Sequence, residues 1–279
     1  MKTILVPTQN IAGMRSALET ALLLARRTAG YIEGFALRFG IPQFVVAELS
    51  SGIPMESYQA HRDEEIAEAH RIFETFMKEH DVALGRSGAD RPSYGWVADA
   101  PEGEAFVGSQ GRAFDVTIMS RPDADTLSLH NRAIESGLFE SGRPVLLSPP
   151  TAPKQIATNI MIHWNGSTEQ ARTNAFAMPL LLQAERVTLL TVVGGQEVPG
   201  PSASQVLRQL QYNGIPAKAL RVEVDGRSTG EAVLAAAKTE GCDLLVKGAF
   251  TRHRLRQMIF GGATSHIMEH AELPVLMAH

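Results

Sequence analysis

The 279-residue chain has 44% hydrophobic residues and a formal net charge of -4, enough apolar material for one large core or two smaller ones. That acidic balance argues against nucleic-acid binding as the main function. Its single cysteine, Cys242, excludes an internal disulfide and fits a reducing cytoplasm. The flanking "EGCDLLVKG" predicts a plain buried or half-buried thiol at the mouth of a strand. No apolar run reaches the roughly 18 to 20 residues of a membrane span, and "MKTILVPTQN" lacks the cleavage signature of a signal peptide. A cytoplasmic protein is expected.

In chain order, "KTILVPTQN" predicts a strand, followed by a helical pattern from Ser16, "SALETALLLARR", and a second strand, "YIEGFAL". Extra material then leads to a long polar helix, "RDEEIAEAHRIFETFMKEH". Ile66, Ala69, Ile72, Phe73 and Phe76 share one face of it, which predicts packing on a sheet. Its acids and histidines fit a solvated face. The strands "FDVTIMS" (114–120) and "GRPVLLS" (142–148) close this half, joined by a helical stretch. "PPTAPKQ" follows, and its prolines and polar residues predict a linker over 149–155.

The pattern then repeats. "TNIMIHWNGS" (158–167) matches the first strand, "QARTNAFAMPLLLQ" the first helix and "RVTLLTVV" the second strand. "CDLLVKG" (242–248) matches "FDVTIMS", and "ELPVLMA" (272–278) matches "GRPVLLS". Predicted strands cover 159–163, 187–193, 218–223, 243–248 and 273–277; predicted helices cover 168–183, 202–213, 229–240 and 262–271. Strands alternating with helices predict an α/β chain of two tandem Rossmann-like domains, about 1–148 and 156–279, each an open parallel sheet with helices on both faces.

Ligands of such sheets bind beyond the carboxyl ends of the strands, where strand order reverses. In the second half those ends deliver Trp164, Asn165, Gly166 and Ser167, then Val192 to Gly195, then Gly248. Gly261, Gly262, Ala263 and Thr264 open the last helix. A glycine-flanked helix start presents free N–H groups to an anion, and Arg252, His253, Arg254 and Arg256 add positive charge. The same glycines also fit ordinary turn punctuation. Ser167 reads as a helix N-cap, and "WNGST" lacks the pattern of a nucleophile elbow. Trp164 fits either a base stack or the edge of the core. His266 and His270 share a helix face without an evident third ligand. There is no Walker loop and no obvious magnesium carboxylate, so any ATP hydrolysis should be slow.

"WNGS", "GRSTGEAVLAAAKTEGCDLLVKGAF" and "RLRQMIFGGATSHIMEHAELPVLM" resemble the universal stress protein family in its tandem form, more closely in the second half. Nucleotide-binding members carry Gly-x2-Gly-x9-Gly-Ser/Thr and an acidic residue after the first strand. The resemblance implies Gly248 as the first glycine, Thr251 in place of the second, Gly261 as the third and Gly262 in place of Ser/Thr. Ala263 and Thr264 follow, and Thr264 offers a hydroxyl. Asn165 stands at the acidic position, and Val192 corresponds to the residue whose backbone reads adenine. A Cβ at Thr251 crowds the loop wherever φ > 0 or close phosphate approach is needed.

The first half departs further. Gln9 stands at the acidic position, Ser120 at the first glycine, and Asn131–Arg132 at the glycine pair of the second half. Its loop "SRPDADTLSLHNRAIESG" carries two aspartates that would repel phosphate, so no nucleotide is expected there. The resemblance implies a stress-response protein binding ATP or AMP, with Mg2+ left open, in its C-terminal domain, signalling or protective rather than catalytic. The alternatives are an interaction or chaperone-like module without nucleotide, and a weak ATPase. It also implies an intramolecular pseudo-dimer through the last strand of each domain, with a homodimer possible.

Overall fold

A computed structural model of the chain describes residues 1–38, 55–85, 90–122, 129–195, 198–249 and 262–279. In the first half β1 (Thr3–Thr8), α1 (Met14–Thr28) and β2 (Tyr31–Ala36) are followed by α2 (Met55–Glu79), β3 (Ala83–Leu84) and β4 (Ser93–Val97). This half ends with α3 (Ala105–Gly111), β5 (Val116–Ser120), α4 (Leu129–Glu140) and β6 (Val145–Ser148). The second half runs β7 (Asn159–His163), α5 (Thr168–Leu181), β8 (Arg186–Val193), α6 (Ala203–Tyr212) and β9 (Ala217–Glu223). It closes with α7 (Thr229–Thr239), β10 (Leu244–Gly248), α8 (Ala263–His270) and β11 (Val275–Ala278).

The strands form one sheet in the order β3-β4-β2-β1-β5-β6-β11-β10-β7-β8-β9. Each half is parallel and doubly wound, with its first strand in the middle, and the halves join through an antiparallel β6–β11 ladder, Leu146 opposite Leu276. Central strands such as β1 and β7 bury residues on both faces, Ile4, Leu5 and Val6 or Ile160, Met161 and Ile162, as a parallel sheet covered on both sides requires. One face packs on α1, α2, α5 and α6 through Leu22, Phe73, Leu180 and Leu210. The other packs on α3, α4, α7 and α8 through Val107, Ile134, Val233 and Ile267.

The sequence repeat has a structural counterpart. The Asp115 carboxylate accepts N–H bonds from Lys2 and Thr3 at the start of β1. Asp243 does the same for Thr158 and Asn159 at the start of β7. Each carboxylate thus fixes the register between the first strand of its half and its central neighbour, β5 beside β1 and β10 beside β7, and is satisfied in doing so.

Some bounds differ from the sequence expectation. The helix expected over 168–183 ends at Leu181, with Pro179 inside its last turn; the Leu182 N–H still bonds the Met178 carbonyl at 3.0 Å. The long helix begins at Met55 instead of Arg62. β4 and α3 carry little sequence signal: "SYGWV" and "AFVGSQG" are short and carry interior glycines, which weaken both periodic signals. β4 pairs parallel to β2, so it occupies in the first half the place of β9 in the second.

Candidate functional site

Strand order reverses in the second half between β7 and β10, which are neighbours, and the crevice beyond their carboxyl ends is where a ligand of this architecture sits. Ser167 caps α5, accepting from the N–H of Gln170 at 3.1 Å, as its position predicts. The Asn165 Oδ1 accepts from the N–H of Ser167 at 3.2 Å, so half of its amide is engaged in its own turn. Gly166 has φ 82°, and a Cβ there would lie 2.3 Å from the Val198 carbonyl. The loop after β8 therefore rests on this turn, with the Val198 N–H on the Asn165 carbonyl at 2.9 Å. Trp164 is buried, and its indole N–H donates to the Pro201 carbonyl at 2.9 Å. It is part of the core and takes no position for stacking on a base. Val192 is buried at the end of β8.

Gly248 ends β10 against the first turn of α5. A Cβ would meet the backbone nitrogen of Gln170 at 2.5 Å and the Glu169 carbonyl carbon at 2.8 Å. The Gly248 N–H donates to Gln170 Oε1 at 2.7 Å, and the same side chain bonds Asn174 Oδ1 at 2.8 Å. This glycine is required by helix packing, whatever the crevice binds. The first half makes the corresponding contact with sizes exchanged: Ser120 ends β5, and Gly13 at the start of α1 makes room, a Cβ there lying 2.5 Å from Ser120 Cβ.

Gly262 opens α8 at φ 96° without a side-chain cap, a conformation that favours glycine. Ala263 and Thr264 follow, both half-buried. Thr251 and Gly261, with the basic residues Arg252, His253, Arg254 and Arg256, lie outside the described residues. The structure thus brings Asn165, Gly248, Gly262, Ala263 and Thr264 to one edge of the sheet, with Val192 on the adjacent strand.

Two residues at this edge escape a reading of the sequence. Lys247 on β10 and His163 on β7 are buried, 4% and 3% exposed. They lie one position beyond the Val246–Ile162 register pair, so both face the α7–α8 side of the sheet. The Lys247 ammonium donates to the Gly248 carbonyl at 2.9 Å and to Thr264 Oγ1 at 3.0 Å. Burial pushes Lys247 down to about 8, and burial with the nearby Lys247 charge pushes His163 down to about 3. Both shifts have the sign that desolvation imposes on a cation.

The other histidines near the strand ends make local contacts. The rings of His266 and His270 stack at 4.3 Å, and His270 Nδ1 bonds the His266 carbonyl. In the first half, His130 Nε2 lies 3.1 Å from Ser120 Oγ and 3.0 Å from the Ser120 carbonyl. A carbonyl only accepts, so Nε2 carries its proton and is no base for Ser120. Described residues line at least two clefts. One of about 760 Å³ lies in the first half beside Gln9, Arg38, Glu64, Glu68 and Arg71. The other, about 640 Å³, lies between the halves beside Gly13, Ser120, Arg121, Ser148 and His270. Among the described residues no helix is long and apolar enough to cross a membrane.

Comparison with known proteins agrees with this architecture. The model of the universal stress protein family matches residues 159–279. A universal stress protein from Archaeoglobus fulgidus shares the fold over 99% of this chain and 97% of its own, at a TM-score of 0.73 and 12% identity. A functionally unknown protein from Pseudomonas aeruginosa matches 100% of this chain and 92% of its own, at a TM-score of 0.53 and 15% identity. No curated protein matches the chain.

Proposed function

With residues 159–279 belonging to the universal stress protein family, we propose that the chain is a stress-response protein whose C-terminal half binds an adenine nucleotide, ATP or AMP, in a signalling or protective role. The observation that carries this reading is the start of α8. It is an uncapped helix N-terminus opened by Gly262 at φ 96°, at the carboxyl edge of β10 and beside the half-buried Thr264 hydroxyl. Free N–H groups and the positive end of the helix dipole favour a phosphate there. Asn165 and the backbone at Val192 would meet the nucleoside, and Thr251 and Gly261, outside the described residues, are the remaining positions that the family motif assigns to the phosphates. In the same reading the chain consists of a degenerate domain over 1–148, a linker over 149–155 and the binding domain over 156–279. The β6–β11 ladder serves as an internal counterpart of a dimer interface.

A second reading, an interaction or chaperone-like module without nucleotide, is favoured by the loop over Asn165 and by the packing role of Gly248. The two separate in one experiment. Small molecules released from purified, denatured protein are identified by ultraviolet spectrum and mass, and the protein is then titrated calorimetrically with ATP and AMP. The nucleotide reading expects one equivalent per chain. No nucleotide released and no heat at millimolar concentration would discard it in favour of the second.

A further inference from the structure

Lys247 carries a charge into the sheet that no described residue neutralises. Its displaced proton affinity arises from burial alone, no carboxylate among the described residues pairs with it, and the adjoining segment 250–261 contains no Asp or Glu. A buried cation is costly unless something offsets it. Its two partners are a carbonyl and a hydroxyl, and the hydroxyl is informative. An ammonium has hydrogens to give and no lone pair to offer. In the bond from Lys247 Nζ to Thr264 Oγ1, the threonine therefore accepts, and its own hydrogen is left to be donated. Among the described residues nothing takes it.

Thr264 stands in the first turn of α8, half-buried. Two further polar atoms there are unsatisfied. Among the described residues Ser265 Oγ, in the same turn and 4% exposed, has no partner, and neither has His163 Nδ1, beside Lys247 on the neighbouring strand. A helix N-terminus, a hydroxyl constrained to donate and a buried cation thus meet here beside two unsatisfied buried polar atoms, with no carboxylate among the described residues paired to the cation.

We propose that Lys247 is the concealed cation of an anion site at the start of α8, holding the Thr264 hydroxyl as a donor to a phosphoryl group and supplying charge from behind it. The proposal deepens the nucleotide reading by naming the groups in this chain that would recognise the phosphate end. Charge-assisted donors fixed before the ligand arrives bind oxyanions more strongly than neutral, mobile ones. Lys247 acts largely through Thr264, which makes it a positioning residue.

The test uses the full chain and two probes, ATP and inorganic tripolyphosphate, titrated calorimetrically against the wild type, Lys247→Met, Thr264→Val and Thr264→Ser. Lys247→Met and Thr264→Val are expected to weaken both probes at least about tenfold, while Thr264→Ser, which keeps the hydroxyl, stays near the wild type. Lys247→Met exchanges a buried ion for an apolar chain of similar length, so its melting temperature should hold or rise. Should it fail to fold, the Val and Ser pair at Thr264 decides. ATP bound equally by the wild type and both Lys247→Met and Thr264→Val overturns the proposal and leaves the nucleotide reading intact. Tripolyphosphate bound in a manner dependent on Lys247 or Thr264, with ATP bound no better, keeps the anion site and removes the nucleotide reading. If neither probe binds the wild type, both fall.

Discussion

Replacing Gly248 by alanine separates two explanations of one glycine. The added Cβ would lie 2.5 Å from the Gln170 nitrogen and 2.8 Å from the Glu169 carbonyl carbon, both backbone atoms at the start of α5. No side-chain rotation relieves such an overlap. To restore ordinary contact the first turn of α5 or the end of β10 must retreat by roughly 1 Å in an interior packed nearly as densely as a crystal. That movement also stretches the 2.7 Å bond from the Gly248 N–H to Gln170 Oε1. Overpacking costs about 1–3 kcal/mol, and a weakened buried hydrogen bond adds about 1 kcal/mol. The combined loss of about 2–4 kcal/mol should lower the urea midpoint of the ligand-free protein. The same loss should lower its melting temperature by roughly 4–15 °C. A glycine needed only for close approach of a phosphate would leave the ligand-free protein at wild-type stability. An unchanged midpoint would therefore refute the packing argument.

His163 is held neutral, its affinity for a proton pushed down to about 3, while the unfolded chain takes up that proton near its ordinary value of about 6.5. Its contribution is thus complete above about 6.5 and is lost as pH falls toward 3, at up to about 1.4 kcal/mol per pH unit. Urea midpoints at pH 7, 6 and 5 should fall more steeply for the wild type than for His163→Gln, and parallel slopes would contradict the assignment. Burial, with Glu240 and Asp243 nearby, raises the Cys242 thiol to about 11. Iodoacetamide at pH 8 should label the native protein on the order of 100-fold more slowly than the denatured chain, and equal rates would place the thiol in solvent. The Phe73 ring fills the space over Gly34. Phe73→Ala should cost about 3–5 kcal/mol, read from the denaturation midpoint, and a loss below about 1 kcal/mol would mean that α2 is not seated there.

The strands of the second half were legible because each is a short apolar run between turn residues, and β7 falls on the residues expected, Asn159–His163. The antiparallel meeting of β6 and β11 follows from two apolar terminal strands that each need an edge covered. Gly248 was visible as a glycine, but its reason was not: periodicity does not say that α5 returns to touch β10. Trp164 was ambiguous for a similar cause, since its partner, the Pro201 carbonyl, comes from a loop 37 residues away. The burial of Lys247 is not legible in "CDLLVKG", where a lysine after apolar residues reads as the polar end of a strand. Only the docking of α8 across the strand ends puts it under cover. Thr251 and Gly261 fall outside the described residues, so their part in the crevice stays with the sequence argument.

The antiparallel β6–β11 ladder has a geometric consequence for the two crevices. Because the halves run in opposite directions across that seam, their carboxyl edges open on opposite rims of the sheet. No single small molecule can bridge the two crevices, and a ligand entering one leaves the other's mouth untouched. The C-terminal end of α8 nevertheless borders the cleft beside Ser120 and Ser148, where His270 is a lining residue, and Arg121 reaches the Ala271 carbonyl at 3.4 Å. A helix whose first turn faces one rim and whose last turn faces the other is a rigid lever through the molecule. About two turns of helix thus join the mouth of one crevice to the cleft on the opposite rim.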